Sequence, residues 1–132
     1  MQRVQKLQNF AARVADGSAR KFDFITPIIK ELKWLKVHNQ YNYHLCCLVW
    51  KIINSNYPDW FITLPTVSEV TVARTRQANN LHIPRTNINA GSKSIEVRGP
   101  NVWNDLPRKL RNTASLSGFK AKLKDHFLTC DK

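Results

Sequence analysis

Apolar residues near the start of the chain recur at three- and four-residue spacing, which predicts an amphipathic helix. Its apolar positions are Val4, Leu7, Ala11 and Val14. Gly17 follows where a left-handed residue commonly ends a helix, so we expect this helix to end there. Lys6 and Arg13 lie two turns apart on the opposite side, a position that suits contact with a phosphate backbone but is also typical of a solvated face.

A second, short helix is predicted from residue 26, because Thr26 can cap a helix N-terminus and Pro27 is favoured in the first turn. Its apolar positions are Ile28, Ile29, Leu32 and Leu35. Lys30 and Lys33 lie on its polar side.

The third predicted helix, over residues 37–54, is apolar on nearly all sides. One face carries Val37, Tyr41, Leu45, Leu48, Val49 and Ile52. The other side carries Tyr43, Cys46, Trp50 and Ile53. Such a helix is either the central helix of the fold or a surface that binds a partner, which includes a second copy of the chain.

The helical spacing weakens over residues 57–99, where Thr, Val, Asn and Arg become frequent and two or three short strands are predicted. The predicted strands contain residues 70–73, Leu81 with Ile83, and Ile95 with Val97. Residues 104–107 have the composition of a turn, and Ser115 can cap a last helix. The apolar face of that helix is Leu116, Phe119, Leu123 and Phe127.

These elements predict a mainly α fold with a small irregular β element, in which amphipathic helices surround one long apolar helix. We expect three segments within one compact unit: helical residues 1–56, short strands and loops over 57–99, and a helical tail over 100–132. A length of 132 residues with 42% apolar side chains is enough for one core.

The charge of the chain favours a polyanionic partner. Lys and Arg number 21 against 9 Asp and Glu, which gives a net charge of +12. Nucleic acid is the favoured partner, and an anionic membrane surface is a weaker alternative. The sequence has neither an apolar run of about 18 residues nor the apolar core of a signal peptide, so we expect an intracellular, nuclear or cytoplasmic protein that is not secreted and does not span a membrane.

Catalytic and metal-binding patterns are not found in the sequence. The acidic residues are scattered singly, whereas two-metal chemistry needs clustered carboxylates. His126 and Cys130 are four residues apart, but no C-x2-C pair completes a zinc site. The three cysteines are an odd number and are expected to be reduced thiols that fill the core. Cys46 and Cys47, together with the histidines, leave an autonomous enzyme as a minor hypothesis.

Basic residues distributed along the chain are the candidate contacts with nucleic acid. We select Lys6, Arg13, Lys30, Lys33, Arg85, Arg98, Arg108, Lys109, Arg111, Lys120 and Lys124. Trp34, Trp60 and Trp103 could stack on unpaired bases, although their apolar neighbours favour a place in the core.

Several stretches, in order along nearly the whole chain, resemble the region after the polymerase palm in jockey-like non-LTR (LINE-type) retrotransposon reverse transcriptases. Residues 48–51 (LVWK) depart mildly from the family, which usually has Tyr where Trp50 stands. The stretches that carry the resemblance are residues 7–14 (LQNFAARV), 21–27 (KFDFITP), 31–35 (ELKWL), 84–86 (PRT), 99–107 (GPNVWNDLP), 115–116 (SL), 119–120 (FK) and 123–124 (LK).

The resemblance implies a parent enzyme that copies RNA into DNA and holds Mg²⁺ with palm aspartates upstream of this region. The chain itself is expected to have no catalytic residue and no cofactor. A thumb-like role is implied for residues 1–56, with Lys6 and Arg13 near the template-primer backbone. The implied partners are RNA or DNA, including an RNA–DNA hybrid, and the palm.

Met1 stands where the family's helix is already under way, which suggests a truncated copy of an element. The alternative function is therefore a structural remnant or protein-interaction piece without independent activity, which could self-associate through its apolar helix.

Overall fold

The structure, a computed structural model, describes residues 1–17, 24–55, 64–72 and 75–130. These residues are mainly helical and contain no sheet, and one isolated antiparallel bridge joins Thr66 to Leu81. The predicted mainly α fold with a small irregular β element is confirmed. The helices are α1 (Gln2–Asp16), α2 (Ile25–Glu31), α3 (Val37–Ser55), α4 (Val67–Val70), α5 (Asn89–Ser92), α6 (Ile95–Asn104), α7 (Arg108–Arg111) and α8 (Leu116–Cys130).

The chain divides into two compact units. The first contains Met1–Tyr43 and Ala121–Lys132, and the second contains His44–Lys120. The division falls within α3 and within α8, so each of these helices contributes to both units. The expected segments 1–56, 57–99 and 100–132 stay a prediction.

Helix α1 confirms the first predicted helix, and Gly17 ends it with φ 70° and an N–H that donates to the Arg13 carbonyl at 3.1 Å. Its buried side, however, is not the apolar one. Ala12 is fully buried beside Ile28 and Ile29 of α2. On the same side of α1 as Ala12, the Gln8 amide donates to the Leu35 carbonyl at 2.6 Å.

Helix α2 begins at Ile25, two residues before Pro27, so Thr26 lies inside it and the predicted Thr26 cap is wrong. The helix also ends earlier, at Glu31, because Lys33 adopts a left-handed conformation with φ 53°. The Trp34 N–H then donates to the Ile29 carbonyl at 3.0 Å, an arrangement that closes the last turn.

Helix α3 confirms the third predicted helix and supplies much of the core of the second unit. Val49 is fully buried and Trp50 is nearly so. The Trp50 indole packs against Phe119 of α8 with ring centroids 6.2 Å apart, and its Nε1–H donates to the Thr113 carbonyl at 3.1 Å. The hydrogen bond satisfies the indole N–H that burial would otherwise leave without a partner.

Helix α6 corrects the strand predicted at Ile95 and Val97, both of which lie within it. The alternation of two apolar residues is too short to separate strand from helix, and the buried positions Val97, Pro100 and Trp103 follow helical spacing. Gly99 allows a close approach to α3, since a Cβ atom there would lie 3.0 Å from Cγ2 of Val49.

The small β element joins residues 65–68 to residues 78–82. Val67 N–H donates to the Asn80 carbonyl and His82 N–H to the Pro65 carbonyl, each at 2.8 Å. The strand predicted at Leu81 and Ile83 is thus reduced to a single bridge at Leu81. The strand predicted over residues 70–73 is wrong at Val70, which ends α4, and Ala73 lies outside the described residues.

Helix α8 confirms the last predicted helix and its apolar face. Phe119 and Leu123 are fully buried, and Phe127 is nearly so. Ser115 caps the helix as predicted, because its Oγ accepts the Gly118 N–H at 3.3 Å. Within the described residues, no helix combines the length and the apolar character that crossing a membrane requires.

Candidate nucleic-acid interface

Helix α7 is a single turn that presents three cations in four residues. Leu110 is 7% exposed and fixes the turn to the second unit, while Arg108 and Lys109 are exposed. Arg108 and Arg111 are three residues apart and therefore lie on the same side of the turn, whereas Lys109 points elsewhere. The buried leucine thus sets the directions of the three charges.

Arg108 and Arg111 line one cavity of the second unit, with a volume of about 290 Å³. The polar side chains around it are Thr66, Asn79 and Asn112. Its apolar side is formed by Ile53 of α3, Leu81 of the β element and Trp103 of α6. Among the described residues that line it there is no carboxylate, so two guanidinium groups share the cavity without an acidic lining residue.

The guanidinium of Arg111 is held beside the cavity by the loop that precedes Leu81. Its Nη1 donates to Oδ1 of Asn80 at 3.0 Å. Its Nε atom is shielded from solvent and has no hydrogen-bond partner among the described residues. Burial lowers the pKa of Arg111, and the positive charge of Arg108 lowers it further. An anion between the two groups would relieve this repulsion.

The loop itself is fixed by Asn104 of α6. The Asn104 side chain accepts the Leu81 N–H and donates to the Leu81 carbonyl, each at 2.9 Å. One amide therefore pairs with both backbone groups of Leu81, as a neighbouring strand would. This pairing keeps Leu81 and Asn80 at the cavity.

The other predicted contact residues are spread over both units. Lys6, Lys30, Lys33 and Lys124 are exposed in the first unit, where Arg13 is half-buried. Arg85, Lys109 and Lys120 are exposed in the second unit, where Arg98 is half-buried on α6. Of the predicted set, Arg108 and Arg111 are the pair that the cavity brings together.

The tryptophans are placed mainly in the core. Trp103 is 5% exposed and its ring centroid lies 5.7 Å from that of Phe119, so little of its ring is open to solvent. Trp34 is half-buried against the α1–α2 cluster. Trp60 lies outside the described residues.

Within the described residues, no three His, Cys, Asp or Glu side chains come together as metal ligands would. Cys46 and Cys47 are buried thiols in α3, as predicted, whereas the prediction of a core position is wrong for Cys130, which is exposed. Its sulfur lies 3.8 Å from Nε2 of His126. This contact is the expected consequence of four-residue spacing on a helix.

Sequence reasoning missed the neutral residues of the cavity. Thr66, Asn79 and Asn112 carry no motif, and the element that brings them to α7 is a single bridge between distant residues. The consecutive amides Asn79 and Asn80 were the available signal, but they are equally typical of a turn.

An apolar stripe on α1 is the second surface feature of the molecule. Val4 is 53%, Leu7 69% and Val14 65% exposed, and Ala11 between them is exposed as well. By contrast, α3 does not present the apolar binding surface that was one of its two predicted roles. Its apolar side chains are largely covered, and Ile53 and Tyr41 are the exposed exceptions.

No protein-family model, curated protein or solved structure matches this chain. The resemblance to retrotransposon reverse transcriptases accordingly stays a prediction from the sequence.

Proposed function

We propose that the chain is the non-catalytic C-terminal region of a LINE-type reverse transcriptase and that it binds the sugar–phosphate backbone of RNA or DNA, including an RNA–DNA hybrid. The observation that carries the binding proposal is the cation group of α7. Arg108 and Arg111 line a cavity without an acidic lining residue among the described residues, and exposed Lys109 adds a third charge.

The net charge supports the same proposal. An excess of 12 positive charges attracts a polyanion at long range, and binding releases the counterions condensed on the strand. The planar guanidinium group of arginine suits phosphate, because two of its N–H groups donate parallel hydrogen bonds to two phosphate oxygens. Backbone contact of this kind positions a strand but carries little sequence information.

The test measures the affinity of the full chain for a fluorescent RNA–DNA hybrid at several salt concentrations. Each neutralised phosphate of a duplex contributes a slope of about −0.9 to the plot of log affinity against log salt. With about four contacts, affinity should fall on the order of a hundredfold between roughly 50 and 200 mM salt. An affinity independent of salt would exclude the electrostatic proposal.

The non-catalytic part of the proposal has its own assay. The full chain, incubated with Mg²⁺, deoxynucleotides and a primed RNA template, is expected to extend no primer because its carboxylates are scattered singly along the sequence. Extension that survives purification to homogeneity would show a polymerase activity of the chain itself.

The alternative is a protein-interaction piece without independent activity, and the exposed stripe on α1 favours it. Val4, Leu7, Ala11 and Val14 follow a 3–4–3 spacing, which is the seam spacing of paired helices. For this candidate we propose a second copy of the chain as the partner, with α1 against α1.

Sedimentation of the full chain distinguishes this alternative. Leu7→Glu places a charge within the stripe and should convert a dimer to a monomer, because a buried carboxylate without a partner is costly. Val72→Glu is the matched control, since Val72 is an apolar residue that is fully exposed and lies outside α1. A clean monomer of the unaltered chain would exclude self-association.

A further inference from the structure

The cavity beside α7 has the size of a site for one small group rather than for a duplex. Its volume of about 290 Å³ lies near the lower end of small-molecule sites, which span roughly 300–1,000 Å³. A double helix could touch the rim of such a cavity but could not enter it. Any ligand that fills the cavity is therefore a single unit of a larger molecule or a small free molecule.

The charges of the lining select an anion. Arg108 and Arg111 meet there, and no carboxylate among the described lining residues neutralises them. Each guanidinium can donate charge-assisted hydrogen bonds, and phosphate oxygens accept two such bonds in parallel from one arginine.

The remaining lining matches the other parts of a nucleotide. Asn79 and Asn112 each offer an amide donor and acceptor, the combination that reads the edge of an unpaired base. Ile53, Leu81 and Trp103 form an apolar side on which a planar ring can rest.

We propose that this cavity binds one phosphorylated nucleotide, with the phosphate on Arg108 and Arg111 and the base between the asparagine amides and the apolar side. The inference rests on the proposed nucleic-acid binding and adds to it a defined site for an unpaired residue. A free nucleotide and an unpaired nucleotide of a single strand both carry this phosphate and this base. The experiment below distinguishes these two ligands.

The experiment compares three probes on the full chain: AMP, a fluorescent oligo(rA) strand, and a blunt duplex that contains the same strand. Arg108→Gln and Arg111→Gln should each weaken binding of the single strand about tenfold or more, because each removes charge-assisted hydrogen bonds. Lys109→Gln is the comparison variant. It removes the same charge from the same helical turn but does not line the cavity, so it should weaken strand and duplex to the same extent, whereas the two arginine variants should weaken the strand more than the duplex.

Folding of the variants is controlled in two ways. Circular dichroism melts establish whether each variant keeps the helical fold. Arg108 is exposed, so its replacement should leave the fold intact even if Arg111→Gln does not, since Arg111 bonds to Asn80. A photoreactive uridine in the strand provides a second measurement and should cross-link to residues 79–81 or 103–112.

The outcomes separate the inference from the proposed function. Competition by AMP would support a site that accepts free nucleotides, and binding of the strand alone would support a site for a strand residue. If Lys109→Gln and Arg108→Gln weakened strand and duplex equally, the cavity inference would fail while backbone binding would stand. AMP binding that depends on Arg108, without affinity for any strand, would uphold the cavity and exclude the proposed function.

Discussion

Burial of the Cys46 thiol makes the stability of the fold depend on pH. Its side chain is fully buried in α3, and burial raises the pKa of the thiol to about 12, with a further contribution from Cys47. In the unfolded chain the thiol would ionise near its ordinary pKa of 9.0. The folded state therefore keeps a proton that the unfolded state loses between about pH 9 and 12.

The sign of this linkage predicts alkaline destabilisation. Because the folded chain binds more protons in that range, the free energy of unfolding should decrease as pH rises above about 9. Urea unfolding as a function of pH measures the decrease, and Cys46→Ala should make it shallower. Cys130→Ala is the control, since Cys130 is exposed and its loss should leave the slope unchanged.

Thiol labelling checks the same residue at neutral pH. Cys130 should react with a maleimide in the folded chain, whereas Cys46 should react only after denaturation, because the thiolate is the reactive form and burial suppresses it. Rapid labelling of Cys46 in the folded chain would contradict its placement in the core.

At the scale of elements, Asn104 connects α6 to the β element and hence to the cavity. Its amide makes two hydrogen bonds to the backbone of Leu81, a residue 3% exposed. Asn104→Ala would leave both backbone groups unsatisfied, and we expect a loss of about 1–3 kcal/mol in the free energy of unfolding. Nucleotide binding should weaken in the same variant, because Leu81 lines the cavity.

Asn101→Ala is the matched control for this prediction. Asn101 lies one turn earlier on α6, is exposed, and donates to the Val97 carbonyl of its own helix at 2.8 Å. Its loss should cost about 0.5 kcal/mol or less in the free energy of unfolding. Equal losses in the two variants, measured by urea unfolding, would show that the Leu81 pairing does not stabilise the fold.

At the scale of the whole molecule, the net charge bears on the proposed binding of a polyanion. An excess of 12 positive charges steers an anion from a distance, but it is screened within about 8–10 Å at physiological salt. In the proposed binding, dispersed lysines such as Lys6 and Lys120 would add to the long-range attraction. The Arg108–Arg111 pair differs because the fold brings its two guanidinium groups into one cavity.

The sequence alone determined the features that depend on residues within about one helical turn. Helical spacing predicted α1, α3 and α8, and local chemistry predicted the ends at Gly17 and Ser115. The same local rules failed at Ile95 and Val97, where two apolar residues fit a strand or a helix equally well and packing of α6 in the core decided.

The tertiary structure decided what distant residues do together. It buried Ala12 rather than the apolar stripe of α1, because a small side chain lets α2 approach closely and the glutamines beside it find backbone partners. It also placed Arg111 beside Asn80, 31 residues away, and so formed the cavity. Helical spacing puts Arg108 and Arg111 on one side of their turn, whereas the cavity that they line also needs residues of α3, the β element and α6, which the core of the second unit brings together.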